Sequence, residues 1–309
     1  MHADAKDVGA FVVAGSVELA YLDPPFAVGV KFTARTKKGE TRGRQTGSSA
    51  PIAYDDRWPS LESYLEWLEV RLVAVRETLS SSGTLWLHLD HRAVHEAKAL
   101  SDRVFGRAAF IGEVIWVPGN GSKHRRGPGA SHQTLLLYAR SKDFVWNADE
   151  PMLRAPFANT SLAMHFKSKD EDGRAYRDRT VAGKTYRYYA DEGRALGSVW
   201  TDCPAMIANT PIHAEGTGYP TQKPVKLLER IVVASSRPGA LVLDPFCGSG
   251  TTLAAALTHG RNAVGMDIGA LAIDTTSKRL RDAGATIDVT DGRTTHPLVL
   301  AVRGPEKRE

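Results

Sequence analysis

Two apolar runs, Val17-Glu18-Leu19-Ala20-Tyr21-Leu22 and Ala240-Leu241-Val242-Leu243, each end directly in an aspartate followed by a proline. Short apolar runs stopped in this way read as buried strands. Open α/β sheets bind their ligands beyond the strand ends. That is where Asp23-Pro24-Pro25-Phe26 and Asp244-Pro245-Phe246-Cys247-Gly248-Ser249-Gly250-Thr251-Thr252 fall.

The 309 residues leave room for one large α/β domain with an inserted region, or for two modest domains. Leu61, Tyr64, Leu65, Leu68, Leu72 and Val75 recur at helical spacing, with Ser60 as N-cap and Ser81-Ser82-Gly83 as the stop. A strand at Thr84–Leu89, a helix through Leu100 and strands at 111–117 and 133–139 follow. A helix at Val225–Ser235 leads into a last unit: a strand at 240–243, a glycine loop, a helix at about 250–259 and a strand at 263–266.

Three stretches break this regularity. Residues 27–56 are poor in large apolar side chains and read as a mobile loop ordered by a ligand, or as a solvated linker. Residues 119–128 form a glycine-rich basic loop. Residues 150–218, with tyrosines among arginines and lysines, read as an inserted recognition region or a plain surface insertion. The expected division is therefore 1–149, 150–218 and 219–309.

Composition narrows the function classes. No run approaches the ~18 apolar residues of a membrane span, and the start of the chain lacks a signal-peptide pattern, so a cytoplasmic enzyme is expected. Cys203 and Cys247 stand far apart, so neither a disulfide framework nor a metal site is expected. The net charge of +5 is mild, but 119–142 carries Lys123, Arg125, Arg126, Arg140 and Lys142 without one acidic residue. A local phosphate-binding surface follows.

The glycines of 244–250 allow close backbone approach to a ligand, and Asp267 lies at the distance where an acidic residue meets ribose hydroxyls in nucleotide-binding units. A tight turn without a ligand is the bland alternative. The loop is neither G-x-G-x-x-G nor a phosphate-binding P-loop, and Asp244 precedes it. A phosphate-free nucleoside fits best, and S-adenosyl-L-methionine, whose centre is a sulfonium cation, is such a group.

Pro24 and Pro25 make the first corner rigid. Asp23 and the Pro24 carbonyl can both accept from one –NH₂ group while Phe26 offers a flat face to a ring. Two acceptors on the hydrogens localise an otherwise delocalised nitrogen lone pair, which suits methylation of an amine or amide. A turn aspartate before a Pro-Pro corner is the alternative.

Asp23-Pro24-Pro25-Phe26, Thr221-Gln222-Lys223-Pro224 before a helix, and Leu243 to Thr252 resemble the motifs of amino-group DNA methyltransferases. Their order resembles that of the permuted beta class. The resemblance covers most of 17–150 and 216–280 and implies a Rossmann-like methyltransferase sheet containing an antiparallel strand. It implies further that Asp23, Pro24, Pro25 and Phe26 hold a target adenine, and that Asp244, Pro245, Phe246, Cys247, Gly248, Gly250, Thr251 and Asp267 surround S-adenosyl-L-methionine. Thr221, Gln222, Lys223 and Pro224 would close over its methionine end, and 150–218 would recognise the DNA site.

A base must leave the duplex to reach such a pocket. Lys31, Arg35, Lys37, Lys38, Lys123, Arg125 and Arg126 are candidates to hold the DNA backbone, or are merely solvated charges. The implied activity is N6-adenine methylation of DNA, with dimerisation and a paired restriction endonuclease as further expectations. Cytosine-N4 methylation, a catalytically silent DNA binder and a nicotinamide dehydrogenase are the competing readings.

Overall fold

The computed structural model describes residues 1–33, 52–121, 124–206 and 215–289. They form two compact units, Met1–Trp146 with Ser198–Glu309, and Asn147–Gly197.

In chain order the first part of the larger unit contains β1 (Val17–Leu22), β2 (Lys31–Thr33), β3 (Ile52–Asp55), α1 (Leu61–Thr78), β4 (Leu79–Leu89), α2 (Val94–Phe105), β5 (Phe110–Trp116) and β6 (Gln133–Ala139). The smaller unit contributes β7 (Arg154–Ala155), α3 (Asn159–His165), β8 (Ser168–Lys169), β9 (Ala175–Val181), β10 (Lys184–Tyr189) and β11 (Arg194–Ala195). The larger unit then resumes with β12 (Val199–Trp200), α4 (Val225–Ser235), β13 (Leu241–Asp244), α5 (Thr251–Thr258), β14 (Asn262–Gly265) and α6 (Ala270–Asp282).

Seven strands make one sheet in the order β12-β5-β6-β4-β1-β13-β14. β6 runs antiparallel to both its neighbours, whereas β1 is parallel to β4 and to β13. Every residue of β1 is buried, as expected of a central strand covered on both faces. Alternate residues face opposite sides. Leu85 and Leu87 join the core beneath α1 and α2, while the intervening Trp86 donates its Nε1–H to Ser235 Oγ at the end of α4, 2.9 Å away.

The adjacency of β1 and β13 positions the site. Ala20 pairs with Leu243 in parallel register, so Asp23 and Asp244 leave neighbouring strands at the same sheet edge. More than two hundred residues separate them in sequence, and one strand spacing, about 5 Å, separates the strands that carry them.

α1 starts in the expected way, with Ser60 and Ser63 forming a reciprocal capping box. Tyr64, Leu68, Leu72 and Val75 are fully buried along one stripe, each stabilising by roughly 1.5–3 kcal/mol. The helix ends at Thr78 instead of at Ser81-Ser82-Gly83, which belong to β4. Gly83 has a packing role there, since a Cβ would lie 2.7 Å from the Val17 carbonyl oxygen. Residues 27–56 are not wholly irregular either: β2 and β3 form an antiparallel ribbon, with Phe32 stacked on Tyr54 at 4.7 Å between ring centroids.

The smaller unit is built on the β9–β10 hairpin. Its turn, Ala182-Gly183, has φ of 49° and 79°, the double left-handed geometry of a tight hairpin. Arg187 lies 3.7 Å from the Tyr176 ring centroid and is paired with Asp178, and Arg174 lies 3.9 Å from that of Tyr189. Residues 150–218 thus cover most of this unit and then return to the larger one. Val199 and Trp200 extend the main sheet beside β5, and Arg230 of α4 makes two bonds to Asp202, at 2.9 and 2.6 Å. Among the described residues no helix is long and apolar enough to cross a membrane.

Candidate active site

At the shared strand ends the two motifs line one continuous cavity, together with Tyr54, Tyr219 and Thr221 to Lys223. Asp23 extends from β1, and its carboxylate receives the ammonium of Lys223, 2.7 Å from Oδ1 and also bonded to Oδ2. Burial pushes the Asp23 carboxyl up, and the Lys223 charge opposes that shift.

Phe26 stands beside His88 of β4 at 5.8 Å between ring centroids. His88 is buried, its Nδ1 is 2.7 Å from the Tyr21 hydroxyl, and burial holds its pKa well below the usual value, so the ring is neutral. Tyr21, Phe26 and His88 thus form one aromatic cluster beside the acceptor corner.

The corner is held from outside the tetrapeptide. Asp56 is 1% exposed and accepts the backbone N–H groups of Phe26, Ala27 and Val28 at 3.2, 2.9 and 2.9 Å, together with Trp58 Nε1–H at 2.9 Å. Ala27 has φ of 56°, a conformation costly for a residue with a side chain, and the three bonds offset that cost. Sequence reasoning missed Asp56. The only signal was an acidic residue among aromatics in Tyr54-Asp55-Asp56-Arg57-Trp58, without a spacing that ties it to position 26.

The glycine loop is braced in a similar way. Asp267, two residues beyond β14, accepts Gly248 N–H and Gly269 N–H at 3.0 and 2.8 Å, while Asp244 accepts Phe246 N–H at 3.0 Å. Gly250 caps α5 with φ of 73°, where a Cβ would lie 2.7 Å from Thr276 Cγ2. Glycine is required there on both grounds. Arg279 of α6 donates to the Ser249 carbonyl and to Thr251 Oγ1 at 3.2 and 2.9 Å, a brace that sequence reasoning also missed.

Asp244 is fully enclosed, and burial raises its pKa to about 7. Cys247 lines the cavity too; it is buried, and the same cause pushes its thiol up, which disfavours the thiolate. Pro245 and Phe246 lie on the cavity wall.

Thr221 to Pro224 lead into α4, with Pro224 at the N-cap. Thr221 has φ of 61°, and its hydroxyl is 3.3 Å from that of Tyr54. The Gln222 amide is spent on the chain just before it, accepting from Thr217 Oγ1 at 2.7 Å and donating to the Glu215 carbonyl at 2.7 Å. Lys223 joins the two motifs: its side chain reaches Asp23, and its carbonyl accepts the Thr251 hydroxyl at 3.2 Å.

Of the basic candidates, Lys31 lies 3.6 Å from Asp55 in the β2–β3 ribbon, and Arg125 and Arg126 are exposed. Arg35, Lys37, Lys38 and Lys123 lie outside the described residues. Among the described residues no group of histidine, cysteine or carboxylate side chains has metal-site geometry.

Asp23, Asp244 and Asp267 all face this cavity beside the aromatic walls of Phe26, Tyr54 and Phe246. A ligand with a cationic centre and a flat ring suits such a lining.

A family model described as DNA methylase matches residues 17–278. The Type II methyltransferase M.EcaI of Enterobacter cloacae is 29% identical over 303 residues, covering 85% of this chain. The chain spans 64% of that relative's length. The DNA adenine methyltransferase YhdJ of Escherichia coli strain K12 is 23% identical over 270 residues, covering 87% of this chain and 77% of that protein. Among solved structures, the cytosine-N4-specific PvuII DNA methyltransferase superposes with a TM-score of 0.57 at 13% identity, over 95% of this chain and 86% of the other. The M1.HpyAVI complex with S-adenosyl-L-methionine gives 0.51 at 19% identity, over 90% and 97%. These two likenesses establish a shared α/β fold.

Proposed function

The chain belongs to the DNA methylase family, and from that premise we propose that it transfers a methyl group from S-adenosyl-L-methionine to the exocyclic N6 of adenine in DNA. The observation that carries this reading is the parallel register of β1 and β13, which brings Asp23-Pro24-Pro25-Phe26 and the 244–252 loop to one cavity.

The donor side is formed by Asp244, Phe246, Gly248, Gly250, Thr251 and Asp267. Bound S-adenosyl-L-methionine supplies an electrophilic methyl group on a sulfonium. On the acceptor side Asp23 and the Pro24 carbonyl take the two amine hydrogens, and Phe26, fixed through Asp56, stacks on the ring. This directs the nitrogen lone pair to the donor side, and the surplus proton leaves during or after transfer. Asp23 is chiefly the positioning and polarising group in this scheme.

The adenine must be extruded from a duplex, at a cost of a few kcal/mol that stacking and phosphate contacts offset. Lys31, Arg125 and Arg126, with the basic residues outside the described segments, are assigned to the phosphates, and residues 150–218 to the site sequence. The order of motifs, acceptor before donor, supports assignment to the permuted beta class. With it go a cytoplasmic location, self-association and a paired restriction endonuclease, testable by sedimentation and by the neighbouring genes.

Incubation with labelled S-adenosyl-L-methionine and assorted DNAs, followed by nucleoside analysis, tests the reading. N6-methyladenine is the expected product. N4-methylcytosine would move the assignment to cytosine, and no methylated base from any DNA would leave a silent DNA binder.

A further inference from the structure

One ammonium covers both surfaces that the target amine needs. Lys223 Nζ bonds to both carboxylate oxygens of Asp23, 2.7 Å from Oδ1, and lies over the Phe26 ring, 5.0 Å from its centroid. A base cannot stack on Phe26 and present its amine to Asp23 while that ammonium is in place. The pair is also shielded, with side-chain exposures of 9% and 18%. An ammonium drawn off Asp23 there needs another anion, because an uncompensated charge in such a place is costly.

The backbone of Lys223 is anchored, since its carbonyl accepts the Thr251 hydroxyl of the glycine loop and α4 begins two residues later. The side chain is not tied in this way, and it lines the same cavity as the 244–252 loop. The other carboxylates there already have partners: Asp244 holds Phe246 N–H, and Asp267 holds Gly248 and Gly269 N–H. In the proposed reading those two carboxylates face the donor's sulfonium and ribose, which leaves the anion that arrives with the donor, its α-carboxylate, to receive Lys223.

We propose that Lys223 is a handover residue: its ammonium stands in for the target amine on Asp23 and Phe26, and leaves for the α-carboxylate of the methyl donor, so the acceptor corner opens only once the donor is seated. This rests on the methyltransferase reading. It makes Lys223 a positioning residue that acts through Asp23.

The test uses the whole protein and a duplex with 2-aminopurine at the target adenine, located beforehand by sequencing methylated bases. Fluorescence reports extrusion in three states: no addition, S-adenosylhomocysteine, and its decarboxylated analogue, which lacks only the carboxylate. The expected result is a rise of severalfold with S-adenosylhomocysteine and none with the analogue. Lys223→Met should give the rise with no addition, while its affinity for S-adenosylhomocysteine, measured by calorimetry, falls at least tenfold. Equal fluorescence of the unaltered protein in all three states would overturn the handover and leave the methyltransferase reading intact. Absence of any methylated base would instead remove the reading on which it rests.

Discussion

Phe26 is held in place by Asp56, thirty residues on, whose carboxylate accepts the Phe26 backbone N–H at 3.2 Å and those of the next two residues at 2.9 Å each. The acceptor motif is thus shaped by a residue that belongs to neither of the two strand-end motifs. Asp56→Ala leaves three backbone donors and the Trp58 indole without their acceptor. At 1–3 kcal/mol for an unsatisfied buried group, a loss of about 2 kcal/mol in denaturant unfolding is expected. Methyl transfer should fall at least tenfold, while donor affinity measured by calorimetry stays within about threefold. Equal losses in both would assign Asp56 to the whole cavity rather than to the corner.

Asp23→Ala removes the acceptor of the amine hydrogens and the partner of Lys223 together. Transfer should drop below detection in a nucleoside assay. Donor binding should survive, because Asp244, Gly248 and Asp267 are held by bonds that do not involve Asp23. Turnover in this variant would exclude the two-acceptor mechanism.

Asp267 holds the glycine loop and the start of α6 through two backbone N–H bonds. Asp267→Ala is expected to weaken donor affinity at least tenfold by calorimetry, both by removing a ribose acceptor and by loosening Gly248. Unchanged affinity would take Asp267 out of the donor site.

The contrast between these residues shows what was legible beforehand. β1, the helix Val225–Ser235 and the loop from Asp244 to Gly250 were readable because apolar runs, helical periodicity and glycine-proline punctuation are local signals. The end of α1 was misplaced because strand β4 begins without a breaker at Leu79, and Gly83 serves a contact with Val17 instead of a turn. Asp56, Arg279 and the Lys223–Asp23 pair were not readable in these roles. Each bonds to a partner 28 to 200 residues away, and no periodicity records such a pairing. β12 escaped for a similar reason, since two residues carry no period of their own.

Asp244 carries a pH prediction. Burial raises its pKa from 3.8 to about 7, so the folded state keeps a proton that the unfolded chain loses near pH 4. Stability from this group is therefore full below about pH 4 and declines as pH rises to about 7, after which it is constant. The difference in unfolding free energy between Asp244→Asn and the unaltered protein should follow that window. A sulfonium ligand favours the ionised carboxylate, so donor affinity should rise over pH 5–7 and then level off. Asp244→Asn should flatten that rise, and an identical pH profile in the variant would separate Asp244 from the ligand's charge.

DNA binding is expected to weaken steeply with salt, since lysine and arginine contacts to phosphates release condensed counterions on association. Arg125 and Arg126 are exposed, with no acidic residue between positions 119 and 142. If both touch phosphates, Arg125→Gln and Arg126→Gln should each lower the slope of log affinity against log salt by about 1. They should weaken binding to all sequences alike, because phosphate contacts carry no base information. Methylation at saturating DNA should be unaffected, since neither residue lines the cavity. A filter-binding series from 50 to 200 mM salt, with specific and unrelated duplexes compared, decides the matter. An unchanged slope would show that these arginines are solvated charges and that the phosphates are held elsewhere.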